Sequence, residues 1–311
     1  MACQWNEINH RAETEPQLFL LESDALFQES VQSAAVQIAE NRSVSPIVLL
    51  SGPSSSGKTT TAMKLREALE EIGISTHVIS MDDYFITLDP KTAPRTKTGE
   101  FDFESPDCLD WPLLNHHFTL LEQGEEICIP KFNFPLKARD DNTGRMLQLR
   151  PDEMVIVEGI HAFRDELTDR HPSAFKFYIN VQSDIWDGNM VCFYHTWMRL
   201  VRRAVRDHQF RGADMEATLS HWVNVRRGEA QYVIPFRYKA NLILDSVLPY
   251  EVSVMKQFVV PLLKTVPEKH PQGEKVQQIL KAVNGFVSID SALVSENSLL
   301  REFIGGGRYA L

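Results

Sequence analysis

The sequence predicts an α/β fold, a parallel sheet with helices on both faces, and three observations carry that expectation. Short apolar runs recur at Ile47-Val48-Leu49-Leu50, Thr76-His77-Val78-Ile79-Ser80, Met154-Val155-Ile156-Val157, Phe175-Lys176-Phe177-Tyr178-Ile179 and Leu242-Ile243-Leu244. Segments with apolar residues three and four apart lie between them, and strands alternating with helices imply a parallel sheet buried on both faces. The first run leads directly into Gly52-Pro53-Ser54-Ser55-Ser56-Gly57-Lys58-Thr59, which fits G-x-x-x-x-G-K-[ST] at every fixed position.

Residues 1–23 read as weakly structured. A helix is expected from an Asp24 cap to about Ala39, with Phe27, Val31, Ala34, Ala35 and Ile38 on one stripe. Asn41-Arg42-Ser43 and Pro46 end it ahead of the first strand. Thr59 to Ile72 repeats Ala62, Leu65, Ala68, Leu69 and Ile72 at helical spacing, and Gly73 closes the helix. After the second strand comes Met81-Asp82-Asp83-Tyr84-Phe85. Residues 86–104 then form a connection with Pro90, Pro94 and Gly99, long enough to point to a functional role. A helix is expected over 110–122. The segments Glu126 to Phe132 and Arg145 to Arg150 read as a hairpin, with a polar turn at Asp140-Asp141-Asn142-Thr143-Gly144. Further helices are expected over about 193–208 and 214–226, and 250–311 is mostly helical in its periodicity. The chain divides into a helical extension at 1–45, a loop-bearing domain at 46–250 and a second helical extension at 251–311.

Composition excludes some function classes. A net charge of −10 argues against broad contact with nucleic-acid phosphates. Hydrophobic and charged contents of 43% and 24% are ordinary for a globular chain. Cys3, Cys108, Cys128 and Cys192 form no C-x-x-C pair and read as thiols of a reducing cytosol. The N-terminus is polar and no apolar run approaches a membrane span, so a cytoplasmic protein without a membrane partner is expected. A homo-oligomer is left open. The ten histidines make no metal-ligand spacing. His116 and His117 read as surface positions on a helix, and His161 is kept as a candidate substrate contact.

The glycine-rich loop carries the chemistry. Gly52 and Gly57 let backbone N–H groups curl around a polyphosphate, and the helix start adds partial positive charge. Lys58 is expected to reach the β- and γ-phosphates, and the Thr59 hydroxyl to ligate Mg²⁺. The expected cofactors are therefore ATP and Mg²⁺, with Gly52, Pro53, Ser54, Ser55, Ser56, Gly57, Lys58, Thr59 and Thr60 as the binding set. Glu158, at the end of the Val155-Ile156-Val157 strand, has the position of an acid that holds or orients the metal shell. Asp82 and Asp83 follow the second strand, where ligands of parallel sheets sit. One of them is expected to accept a hydroxyl proton while the other caps or bonds locally. Arg199, Arg203 and Arg206 share one helix face opposite Leu200, Val201, Ala204 and Val205. Such a face reads first as solvated, and in a phosphoryl-transfer enzyme as a lid that neutralises charge.

Together these segments resemble the uridine kinase / phosphoribulokinase family of P-loop kinases. The matching pieces are the loop through Thr60, Ser80 to Phe85, Phe101 to Asp107, Ile129 to Phe134, Glu158-Gly159-Ile160, Arg203-x-x-Arg206-Asp207 and Arg211-Gly212. Arg226-Arg227-Gly228-Glu229 and the tail from Glu296 to Gly306 look like a bacterial uridine-kinase-like branch. The resemblance implies a P-loop NTPase kinase fold, with a five-stranded parallel sheet of order 2-3-1-4-5 and a β-hairpin over the acceptor site. It puts Asp82 on the catalytic base, Glu104 on the acid that holds ribose hydroxyls, and Arg203 and Arg206 on lid arginines acting with Lys58. With His161 kept from the reading of the histidines, the candidate substrate-binding set is Asp82, Tyr84, Phe85, Glu104, Phe132, Lys137 and His161. Where the family hairpin presents Tyr-Asp-Phe and a His to read a pyrimidine, this chain has Phe132-Asn133-Phe134 and Lys137. The expected partners are ATP and a small-molecule acceptor, and the expected activity is transfer of the γ-phosphate to a hydroxyl of a nucleoside or related sugar-like alcohol. The alternatives are a non-nucleoside acceptor, such as a sugar phosphate or pantothenate-like alcohol, and a nucleotide-dependent regulatory ATPase.

Overall fold

The computed structural model describes residues 3–309. It opens with β1 (Cys3–Gln4), followed by two helices, α1 (Trp5–Thr14) and α2 (Pro16–Asn41). The expectation of a weakly structured start is therefore corrected. Ile8, Ala12, Phe19 and Leu20 are enough of an apolar face to bury α1 and the front of α2, and Pro16 at the first helical position suits a helix start. Asp24 lies inside α2 and does not cap it; its carboxylate accepts from Tyr250 Oη at 2.7 Å and Ser298 Oγ at 3.0 Å.

β2 (Ile47–Ser51) is buried at every position and leads through the loop into α3 (Lys58–Glu71). β3 (Thr76–Ser80) precedes a 3₁₀ turn over Met81–Tyr84, and α4 (Trp111–Glu122) follows the long connection. His117 on α4 is buried, not superficial, and its Nδ1 lies 3.0 Å from Tyr84 Oη. β4 (Ile127–Asn133) and β5 (Ala138–Leu147) form the hairpin, which turns at residues 134–137, with Lys137 at a φ of 52°. The polar stretch at 140–144 belongs to β5, where it is taken up as a slip in register: Ile129 faces Arg145 but Lys131 faces Asp140.

Next come β6 (Met154–Glu158), α5 (Asp165–Thr168), β7 (Phe175–Asn180), β8 (Ile185–Asp187), β9 (Met190–Phe193), α6 (His195–Arg211) and α7 (Met215–Gly228). The chain continues with β10 (Leu242–Asp245), α8 (Glu251–Lys264), α9 (Gly273–Asn284) and α10 (Arg301–Ile304). β10, β7, β2, β6 and β3 lie side by side in that order, all parallel. Counted along the chain within this sheet, the order is 2-3-1-4-5. β2 holds the centre, so the loop at its carboxyl end lies where flanking crossovers diverge, the usual ligand crevice of such sheets.

Alternate residues of each strand point into opposite layers. Val48, Leu50, Ile156, Phe177 and Ile179 join a cluster that includes residues of α1, α2, α3, α6, α8 and α9. Ile47, Leu49, Val155, Val157 and Tyr178 face the second layer, built from α4, the hairpin and the turn after β3. Among the described residues no helix is long and apolar enough to cross a membrane.

A buried ion pair ties the C-terminal helices to α6. Arg202, fully buried, donates from Nε and Nη2 to the two Glu251 oxygens at 2.5 and 2.7 Å, and from Nη2 to the Ser246 carbonyl at 2.7 Å. Glu251→Ala strands that guanidinium, and urea denaturation is expected to show a loss of about 3–5 kcal/mol. The same substitution at Glu70 in the exposed Arg66–Glu70 pair (3.7 Å) is expected to cost under about 1 kcal/mol. Equal losses at the two positions would contradict the buried pair's role.

Candidate active site

The loop after β2 is shaped by its backbone. Gly52 passes so close to β7 that a Cβ there would stand 2.0 Å from the Ile179 carbonyl oxygen. Gly57 sits at a φ of 90°, in the left-handed region, immediately before α3 begins. Ser55 also takes a positive φ, 60°, and the Oγ atoms of Ser55 and Ser56 are buried without a hydrogen-bond partner. Orphaned hydroxyls beside the first amides of a helix form a cradle suited to an anion. Lys58 Nζ reaches back to the Pro53 carbonyl at 3.3 Å, and Ser54 Oγ accepts from Arg203 Nη1 at 3.0 Å.

A cavity of about 520 Å³ opens from this loop. Ser54, Ser55, Gly57, Lys58 and Thr59 form its floor; Asp82, Glu104, Glu158 and Glu302 supply acids; Arg203, Arg206 and Arg211 supply cations; Phe85, Phe103 and Phe134 line the remainder. A groove of about 590 Å³ lies elsewhere, between α2, α3 and the C-terminal segment, and includes none of the loop.

Electrostatics in the cavity follow from burial against charge. Glu158, 8% exposed, is pushed up to about 7 by desolvation, against the pull of Lys58 and of Ser80 Oγ, which donates to it at 3.0 Å. Asp82 keeps contact with solvent through the open cavity, but the protein around it desolvates its carboxyl and raises it above the ordinary value; Lys58 and Arg211 oppose the shift. Glu104 rises to about 7, by desolvation first, with Arg203 opposing. Arg206 is pushed down to about 10 by burial and by Arg211. Carboxyls raised this way stand next to Lys58 and Thr59, where a divalent cation would favour their charged form. Mg²⁺ commonly takes one or two protein oxygens and completes its shell with phosphate and water. Thr59 and Glu158 fit that role, and no cluster of three or more acidic, His or Cys side chains is needed; none suited to a metal occurs among the described residues.

The structure thus brings together the loop, Asp82, Phe85, Glu104, Glu158, Arg203 and Arg206. It does not bring in the rest of the expected acceptor set. Tyr84 is buried against His117, because the turn after β3 directs it into the core. Phe132, 6% exposed, packs at 5.4 Å against Phe85 and at 5.0 Å against Phe134. Lys137, at the hairpin turn, sits over the Phe101 ring at 4.3 Å. His161 is buried beside Tyr232, desolvated down to about 3, and none of these four residues lines the cavity. The arginine face of α6 is also corrected. Arg199 pairs with Glu229 in the interior at 2.6 Å, so only Arg203 and Arg206 of that face look into the cavity. Phe103, Phe134, Arg211 and Glu302 were not among the expected site residues. All four lie inside segments that carry the family resemblance, but no local pattern gave any of them a role in the site.

Comparison with known proteins agrees with this geometry. The model of the Phosphoribulokinase / Uridine kinase family matches residues 47–253. A uridine kinase from Deinococcus deserti is 28% identical over 203 residues, covering 65% of this chain and 88% of its own. A uridine-cytidine kinase from Danio rerio is 26% identical over 205 residues, covering 64% of this chain and 72% of its own. Among solved structures, a chain described as a possible uridine kinase from Bacillus stearothermophilus aligns with a TM-score of 0.44 at 20% identity, covering 64% of this chain and 88% of that one. The match across the sheet, the loop and the arginine helix means that the chain belongs to the Phosphoribulokinase / Uridine kinase family, and is a phosphotransferase acting on a hydroxyl group.

Proposed function

We propose that the protein transfers the γ-phosphate of ATP to a hydroxyl of a neutral, nucleoside-like acceptor. The observation that carries this reading is one cavity lined both by a phosphate loop and by Glu104 and the rings of Phe85, Phe103 and Phe134. Lys58 and the loop amides hold the donor's phosphates, and Arg203, Arg206 and Arg211 balance charge on the transferring group. Thr59 and Glu158 would hold Mg²⁺, which when bound neutralises phosphate charge. Asp82 accepts the proton of the attacking hydroxyl, and Glu104 accepts hydrogen bonds from a vicinal diol.

Charge favours a neutral acceptor over a sugar phosphate. Arg227 and Arg226 are engaged with Asp102 at 2.5 Å and Glu229 at 2.6 Å, and Arg203, which acts on Glu104 from the cavity wall, is held by Ser54 Oγ at 3.0 Å and Asp207 at 3.1 Å. On this reading Arg203, Arg206 and Arg211 serve the transferring phosphoryl group, so an anionic acceptor would compete with it for them and would also meet the Glu104 carboxylate and the phenyl rings. The rings suit a flat base by stacking, while Tyr84 and Lys137 are directed elsewhere, so ring shape is read more than base identity. The unpaired thiols Cys3, Cys108, Cys128 and Cys192 suit action in the reducing cytoplasm.

ADP release should appear with neutral ribonucleosides and stay near background with ribose 5-phosphate and pantothenate. Glu104→Gln should raise the acceptor KM by about tenfold or more while the KM for ATP stays near the parent's. Preferred turnover of an anionic acceptor, or an acceptor KM untouched by Glu104→Gln, would refute the assignment.

A further inference from the structure

Helix α3 cannot pair its first amides internally. Thr61 N–H turns back to the Gly57 carbonyl at 3.0 Å. Thr60 N–H is instead taken by a side chain 242 positions away, Glu302 Oε2 at 3.1 Å. Glu302 belongs to α10, outside the 47–253 span of the family match, and its carboxylate shares the cavity with Lys58, Thr59, Glu158 and Arg206. Helix starts are commonly capped by the side chain just before them; here that position is Gly57, which has none.

A neutral acceptor such as a glutamine Oε1 could also take the Thr60 amide, though more weakly. A carboxylate instead adds negative charge to a cavity that already holds Asp82 and Glu158. It is therefore an anion seated where the donor's phosphates are drawn by the same amides. The backbone behind it is pinned. Leu299 packs against Gly57, with Cδ1 2.7 Å from where a Cβ would be, and Phe303 lies under the Arg202 guanidinium at 5.0 Å. Ser298 Oγ lies 2.7 Å from Tyr250 Oη. Only the side chain of Glu302 has to move for the amide to be released.

We propose that Glu302 is a built-in competitor for the donor's phosphate, holding the Thr60 amide until a nucleotide takes it, so that residue 302 sets donor affinity. This rests on the reading that a nucleotide polyphosphate binds the loop. The test is calorimetric titration of the full chain with ADP and with a non-hydrolysable ATP analogue, in Mg²⁺, using the parent, Glu302→Ala, Glu302→Gln and Lys58→Ala. Glu302→Ala should bind nucleotide about tenfold tighter, Glu302→Gln should fall between it and the parent, and the acceptor KM should not follow either change. If Glu302→Ala does not fold, tighter binding by Glu302→Gln decides alone. Binding that is lost in Lys58→Ala but unchanged or weakened in both Glu302 variants overturns the proposal and leaves the donor site standing. No nucleotide binding in any of the four chains would overturn both.

Discussion

Lys58→Ala is expected to lower phosphoryl transfer by about 10³-fold in a protein that still folds. Lys58 opens α3 at the floor of the cavity, half-buried, and its ammonium bonds the Pro53 carbonyl at 3.3 Å. It belongs to neither hydrophobic cluster, so its loss leaves the layers around the sheet intact. On the proposed reading its positive charge acts on groups whose negative charge grows as the phosphoryl leaves, and an interaction of that kind shows in kcat. Single-turnover rates and a thermal melt, run side by side, check both halves of the expectation. Near-parental turnover with an unchanged melt would remove the loop from the chemistry.

Asp82→Asn should slow the chemical step by about 10²-fold or more while nucleotide affinity stays near the parent's. The substitution keeps shape and removes the capacity to accept a proton. Desolvation raises the Asp82 carboxyl above its ordinary value, and only the charged form can act as a base. The parent's rate should therefore fall as pH drops through that raised value, and Asp82→Asn should lose this limb of the profile. Asp83→Asn should cost less. Its carboxylate is engaged with the Phe132 backbone, which links the turn to the hairpin. If Asp83→Asn slowed single turnovers more than Asp82→Asn, the roles of the two acids would be exchanged.

Much of the catalytic frame was legible because each part is local. Five short apolar runs marked the five strands, of which β2 and β6 are buried at every position, and the loop residues stand in consecutive order between β2 and α3. The hairpin was legible as an element but not in its register. Phe134-Pro135-Leu136-Lys137 reads as apolar chain although it is the turn, and the polar Asp140–Gly144 stretch imitates a turn although it is strand. Arginines on α6 all look alike by spacing; burial separates Arg199 and Arg202, held by Glu229 and Glu251, from Arg203 and Arg206. The tail holding Glu302 stood out as a motif, but its contact with the loop was out of reach of any local pattern, because the partner amide is 242 positions away. The sparse apolar residues of α1 hid a helix whose packing partners lie at the other end of the chain, such as the Gly285 carbonyl, which accepts from Asn9 Nδ2 at 2.9 Å.

That long reach between loop and tail has a consequence for biosynthesis. The amide of Thr60 is capped by a residue the ribosome adds 242 positions later, which at roughly 5–20 residues per second is a delay of about ten to fifty seconds. During that interval the emerging chain can assemble β2, β3, β6 and β7, yet Gly57 lacks the Leu299 wall and Arg202 lacks Phe303 beneath it. On the proposed reading, completion of the phosphate seat waits until residues 299–303 have emerged, and shorter nascent chains would hold nucleotide in a seat lacking those groups.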